Sequence, residues 1–219
     1  PNSNVISCLM DIQANPINAK GEEVTPVVWE SNCLEEVCGA CTMVINGKVH
    51  QSCSALVDQL EKPIKLEPMS KFPVVRDLAV DRTRMFSALK KVQAWVNADG
   101  YHDLGPGDRL PQKHQETAYK LSECMTCGCC VEACPQYSSS NNFLGAAAIS
   151  QSRLFNMHPT AKNMASERLD TLMQEGGIAD CGNAQNCVEA CPKSIPLTES
   201  IAEMGRQVSD KLWHNIFKA

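Results

Sequence analysis

The residues of this chain that could do chemistry are its cysteines. There are 13 of them in 219 residues, and they stand in tight groups. In a long chain that opens on no secretory signal, such grouping points to metal binding rather than to a disulfide scaffold. The odd count leaves at least one thiol spare. The first group is Cys33-x4-Cys38-x2-Cys41, with Cys53 following. This is the plant-type spacing for a [2Fe–2S] cluster. Four thiolates around two irons call for three from one loop and one from a neighbouring strand. Gly39 and Ala40 are small enough to let backbone N–H groups approach the sulfurs. The competing reading is a four-thiolate zinc site, but zinc suits paired C-x2-C knuckles better.

The second group, Cys124-x2-Cys127-x2-Cys130-x3-Cys134-Pro135, is the bacterial ferredoxin run. In two-cluster ferredoxins its fourth Cys binds the other cluster, so a second copy is expected. That copy is Cys181, Cys187 and Cys191-Pro192, with Ala184 standing where the second Cys belongs. Crossed ligation then gives Cys124, Cys127, Cys130 and Cys191 to a [4Fe–4S] cluster. It leaves only Cys134, Cys181 and Cys187 for the other centre. A cubane corner without a thiolate readily loses its iron, so this centre reads as [3Fe–4S]. The alternative is a second [4Fe–4S] cluster with a non-Cys fourth ligand such as Asn or water. Cys129 and Cys8 remain. The x2 spacing selects Cys130 over Cys129, which reads as a thiol beside the ligands, with a register swap as the other possibility. Cys8 reads as a small core residue on a helix.

The elements that must position these thiols are partly legible. Residues 1–80 read mostly as strand, with β-prone runs at Val27-Val28-Trp29 and Ile64-Lys65-Leu66. Thr42 to Ile45, Asn46-Gly47 and Lys48 to Gln51 spell a hairpin, because Asn-Gly takes the positive φ angles of a type I′ turn. Its second strand carries the chain back towards the loop and delivers Cys53. A helix is expected over 4–14 with Ile6, Leu9 and Met10 on one side, closed at Asn15-Pro16. From Asp81 the period becomes helical. Met85, Leu89, Val92 and Val96 form one stripe, residues 97–112 a loop, and His114 to Ser122 a short helix. Ser166 and Thr198 are expected to cap two further helices.

Composition narrows the class. Twenty Lys and Arg against 25 Asp and Glu give a net charge of −5, which offers nucleic acid no excess of cations. No run approaches the roughly 18 apolar residues of a membrane span. There is no G-x-G-x-x-G, no P-loop, no nucleophile with its base, and no His pair at metal spacing. Three redox centres without a substrate motif suggest a wire whose donor and acceptor lie on partner chains. The opening at Pro1 without Met reads as that of a fragment.

The order [2Fe–2S], [4Fe–4S], [3Fe–4S] resembles the iron–sulfur subunits of succinate dehydrogenase (complex II) and quinol:fumarate reductase. The resemblance runs through Asn32 to Cys41, Phe72 to Leu78, Ser122 to Gly128 and Ala179 to Asn183. The Leu34-Glu35-Glu36-Val37 loop and Gly176-Gly177 are closest to the menaquinone-linked branch with a di-haem anchor. The resemblance implies an α+β chain. A plant-type β-grasp [2Fe–2S] ferredoxin domain over 1–80 would precede an all-α bacterial-ferredoxin-like domain over 81–219. The hairpin that opens a β-grasp domain is expected to be missing ahead of the first helix. The implied partners are a flavoprotein that oxidises succinate on FAD and a membrane anchor that bears haem b. Electrons would run from FAD through the three clusters to a quinone at the cytoplasmic face of a bacterial membrane, or in reverse in a fumarate reductase. Quinone-proximal positions carried over are Pro135, Ser139 and Gly182. The last two replace the Trp and His of ubiquinone-type members, which points to menaquinone or to a quinone site built mainly by the anchor. A zinc-stabilised interaction module is the reading from another class.

Overall fold

The structure is a computed structural model that describes residues 3–97 and 109–217. Helix α1, Val5–Ala14, begins where the Asn4 side chain accepts from the Ser7 amide at 2.9 Å. The Asn4 side-chain amide also donates to the Cys53 carbonyl at 2.7 Å, so the cap ties the helix to the end of the hairpin. Strands β1, Thr42–Ile45, and β2, Lys48–Gln51, pair antiparallel with Ile45 opposite Lys48. Asn46 and Gly47 both take positive φ, 48° and 80°, as a type I′ turn demands. Strand β3, Leu66–Glu67, joins the other edge of β1, giving the order β2-β1-β3. Val5, Ile6 and Leu9 of α1 pack on Met43, Ile45, Cys41, Cys53 and Leu78 as a first core.

A small hairpin, β4 (Val74–Arg76) and β5 (Ala79–Val80), leads into helix α2, Thr83–Lys91. Then follow α3 (Gln112–Ser122), α4 (Cys129–Glu132), α5 (Ala146–Met157), α6 (Ala165–Met173), α7 (Asn186–Glu189) and α8 (Leu197–Phe217). Helix α5 is the hub and meets α2, α3, α4, α6 and α8. Its residues 146–150 are all buried, together with Ser152. The second core collects around it. Met69, Phe72 and Val80 belong to this second core, whereas Leu78 belongs to the first, so residues 69–80 serve both. Side chains hold the two parts together. The Glu132 carboxylate accepts from the Ser70 amide (2.8 Å), the Ser70 hydroxyl (2.6 Å) and the Lys71 amide (3.0 Å).

Several local expectations change. The Val27 to Trp29 run is not a strand. Its Val28 backbone is pinned by the Asp77 carboxylate and the Leu78 amide. Met10 is exposed and Cys8 only half-buried, so neither belongs to the core face of α1. Val96 falls beyond α2, which ends at Lys91 with Val92 as its C-cap. Ser166 and Thr198 each lie one residue inside their helices rather than capping them. A 3-10 turn over Ala161–Met164 already feeds α6 from its N-terminal side. Most of the loop expected over 97–112 lies outside the described residues.

Candidate metal centres

The loop from Cys33 to Cys41 is wound so that its amides face inward. Leu34, Glu36 and Gly39 take positive φ of 62°, 55° and 70°. These turns aim the Glu35, Val37 and Cys38 amides at Cys33 Sγ at 3.4, 3.3 and 3.3 Å. The Cys33 and Ala40 amides reach Cys38 Sγ at 3.5 and 3.4 Å. The Glu36 amide reaches Cys53 Sγ at 3.3 Å, so the hairpin does bring Cys53 back to the loop. Donors aimed at sulfur stabilise thiolate. Amide bonds from Glu35 and Val37 lower the Cys33 thiol to about 7. At Cys53 burial dominates and raises the thiol to about 11. A cation bound among the sulfurs reverses that penalty and takes the thiols as thiolates, so loading releases protons.

The remaining seven ligand candidates fall into two groups. Cys124, Cys127, Cys130 and Cys191 line one cavity. Cys134, Cys181 and Cys187 line another, with Ala184 in its wall. The sequence echo is also an echo of form. A left-handed residue precedes each short helix, Gly128 before α4 and Gln185 before α7, and the two helices pack together. Among the described residues, no three of His, Cys, Asp or Glu are grouped to hold a single metal ion. The thiols instead line two cavities. Cys129 does not line the first of these cavities. Its side chain hydrogen-bonds Cys127, which lowers the Cys127 thiol to about 7 and raises that of Cys129. Burial raises Cys124, Cys130 and Cys187.

Ala147, Ile195 and Leu197 close the Cys124 cavity with apolar surface. The cavity with Ala184 is rimmed by an exposed segment, residues 182–186. Pro135 and Gly182 stand at that rim, while Ser139 is exposed and does not line it. A Cβ on Gly182 would lie 2.5 Å from the Gln136 side-chain nitrogen, so Gln136 fills the space beside this glycine.

Residues with no motif do much of the positioning. Arg82 donates through Nη1 to the Gly39 carbonyl (2.8 Å) and through Nη2 to the Ala40 carbonyl (2.7 Å), and it pairs with Glu30 at 2.9 Å. Arg84 lies 4.0 Å above the Tyr137 ring and donates to the carbonyls of Ser138, Asn141 and Phe143, fixing the chain just after Cys134-Pro135. Gln51 bridges Cys41, Thr42 and Cys129. The sequence marks none of them, because each acts on residues far along the chain or through an unremarkable side chain.

Comparison with known proteins agrees with this division. Residues 1–87 match the family described as "2Fe-2S iron-sulfur cluster binding domain", and residues 120–195 match "4Fe-4S dicluster domain". These matches set aside the zinc-module reading. The succinate dehydrogenase iron-sulfur subunit of Bacillus subtilis (strain 168) is 63% identical over 217 residues, covering 99% of this chain and 86% of that protein. The fumarate reductase iron-sulfur subunit of Wolinella succinogenes is 28% identical over 179 residues, covering 80% of this chain and 75% of that one. In fold, the chain matches a chain of the "Mycobacterium smegmatis Sdh1 complex in the apo form" with a TM-score of 0.75 at 24% identity, covering 97% of this chain and 87% of the other. By identity over nearly its whole length, on a frame of converging thiols, the chain belongs to the family of succinate dehydrogenase and fumarate reductase iron–sulfur subunits, the electron-transfer subunits of complex II.

Proposed function

We propose that this chain relays single electrons through a [2Fe–2S] cluster on Cys33, Cys38, Cys41 and Cys53, a [4Fe–4S] cluster on Cys124, Cys127, Cys130 and Cys191, and a [3Fe–4S] cluster on Cys134, Cys181 and Cys187. The observation that carries this reading is the division of the last seven thiols between two cavities, with Ala184 in the wall of the three-thiol one. When bound, each cluster accepts and returns one electron at a potential set by its type, its hydrogen bonds and its burial. The chain supplies the rest. Inward amides neutralise thiolate charge, Arg82 holds the first loop by its carbonyls, and apolar walls keep water from the middle site.

The donor is FAD on a partner flavoprotein that oxidises succinate, and the acceptor is menaquinone at a haem b-bearing membrane anchor. The chain itself lies on the cytoplasmic face of the membrane. Among the described residues no helix is long and apolar enough to cross a membrane. The first unit, 1–80, is read as a plant-type β-grasp domain and 81–219 as the helical ferredoxin domain. Pro135 and Gly182, at the exposed rim of the three-thiol cavity, support a quinone-facing role for that end, with Ser139 nearby in sequence. The higher identity to a succinate dehydrogenase subunit than to a fumarate reductase one favours succinate oxidation over the reverse.

The test is Ala184→Cys in the assembled complex. Iron should rise from roughly nine to roughly ten per chain as the vacant corner gains a thiolate. The [3Fe–4S] EPR signal of the oxidised protein should fade, and the potential of that centre should drop. Unchanged iron and EPR in a correctly assembled variant would overturn the ligand assignment.

A further inference from the structure

Gln51 lies almost wholly buried at the seam between the first thiol set and the second. Its side-chain oxygen faces Cys41 Sγ at 3.6 Å. Its nitrogen faces Thr42 Oγ1 at 2.7 Å and Cys129 Sγ at 3.4 Å. This arrangement is consistent while Cys41 is a thiol, because the S–H donates to the amide oxygen. As a cluster ligand Cys41 is a thiolate with no proton to give. The same arrangement would then set a carbonyl oxygen against a sulfur anion inside a buried seam, where such a mismatch is costly.

A half-turn of the amide removes the conflict, since its oxygen and nitrogen occupy equivalent positions. The NH2 group then donates to Cys41 sulfur in a charge-assisted bond. Thr42 can complete the exchange by turning its hydroxyl onto the Gln51 oxygen. Thr42 now donates to the Gly39 carbonyl at 2.8 Å, but that carbonyl keeps the Arg82 Nη1 donor at 2.8 Å. The switch costs Cys129 Sγ the Gln51 donor it has at 3.4 Å, and the Cys129 S–H is left to meet the Gln51 oxygen in its place.

We propose that in the loaded protein Gln51, held by Thr42, donates its side-chain N–H to the Cys41 sulfur and thereby raises the reduction potential of the first cluster. Gln51 is a positioning and tuning residue, not a ligand, and the proposal rests on the assignment of Cys41 above. The inward amides of the loop go to Cys33, Cys38 and Cys53, and none to Cys41. Among the described residues, Gln51 is therefore the side chain placed to give the fourth sulfur its N–H.

The experiment is an EPR-monitored redox titration of the assembled complex. Gln51→Met should leave the [2Fe–2S] signal at full intensity and shift its reduction equilibrium about tenfold towards the oxidised form, a fall of about 59 mV for one electron. The other two midpoints should hold. Thr42→Val should lower the same midpoint by less, and Thr42→Ser should restore it, an outcome that a packing role alone does not give. An unmoved midpoint in a fully loaded Gln51→Met complex overturns the proposal. Absence of any [2Fe–2S] signal from the wild type overturns the ligand assignment instead. If Gln51→Met does not retain its cluster, wild type labelled with 15N in the glutamine side-chain amide serves in its place. A 15N coupling to the reduced first cluster is expected, and its absence overturns the proposal.

Discussion

A methyl group on Gly39 would lie 2.6 Å from both the Cα and the Cβ of Cys127, and the glycine's φ of +70° is one that L residues resist. Gly39→Ala therefore meets overpacking and a backbone penalty together, about 2–4 kcal/mol in all. The variant should lose most of its [2Fe–2S] EPR intensity and several degrees of thermal midpoint. A fully loaded variant with wild-type melting would show that the two loops can part. At this scale the grouping of the cysteines was legible because ligand spacing is a local rule. Four thiolates at fixed spacing, and one alanine in an otherwise faithful echo, need no knowledge of the fold. Arg82 and Gln51 were not legible for the opposite reason. Arg82 acts on Gly39 and Ala40, more than 40 residues away, and Gln51 touches Cys129, 78 residues away. Cys8, set on the right helix but at the wrong depth, shows how little one small residue says about burial.

Helices and turns with a strong local code were readable. Asn46-Gly47 forced its hairpin in the expected register, and α1 formed over the expected stretch with Asn4 as its cap rather than its first residue. Helix α5 was not recognised, although it is the most central element. Its buried face is Ala146, Ala147, Ala148, Ser150 and Ser152, with Ile149 as the one large apolar residue. Small residues let neighbouring helices approach closely but leave no apolar period to find. The hydroxyls are satisfied within the bundle, Ser152 by the Ala148 carbonyl at 3.0 Å and Ser150 by Ser200 at 3.4 Å. Helix α6 is secured by Arg168. That buried side chain donates to the carbonyls of Gln93 (3.0 Å), Trp95 (3.1 Å) and Ala161 (2.7 Å) and to the Asn156 side chain (3.2 Å). Arg168→Met keeps the bulk and orphans these acceptors, at a cost of about 3 kcal/mol. Denaturant unfolding of the helical region should show it, and a loss below a few tenths would mean water replaces the guanidinium.

On α8, the hydrogen bond from Arg206 lowers the Glu203 pKa. A carboxylate depressed in the folded state stabilises fully above its unfolded pKa of about 4.3 and loses that contribution as pH falls through the lower folded value. The advantage of wild type over Glu203→Gln in thermal midpoint should therefore be present at pH 7 and shrink as pH falls below about 4.3. It should be small, because the pair is exposed. A difference that does not change with pH would assign the effect to packing.

Over the whole molecule, the expected division near residue 80 meets a chain in which residues 69–80 feed both cores. Composition and periodicity registered the change in texture there, but not that the joint is shared. Glu132 is the polar latch of that joint, taking three donors from Ser70 and Lys71. Glu132→Ala should cost about 1–2 kcal/mol locally and speed amide exchange at Ser70 and Lys71 several-fold, leaving α5 protected. Equal exchange in variant and wild type would remove the latch from the account. The Gly39–Cys127 contact has a wider consequence. Between the first two thiol sets the Gly39 backbone packs there directly on Cys127, with no side chain of its own to lengthen or trim. With clusters bound as proposed, substitutions around either would change its voltage, while the approach of the two loops at this contact would be set by the thickness of the polypeptide itself.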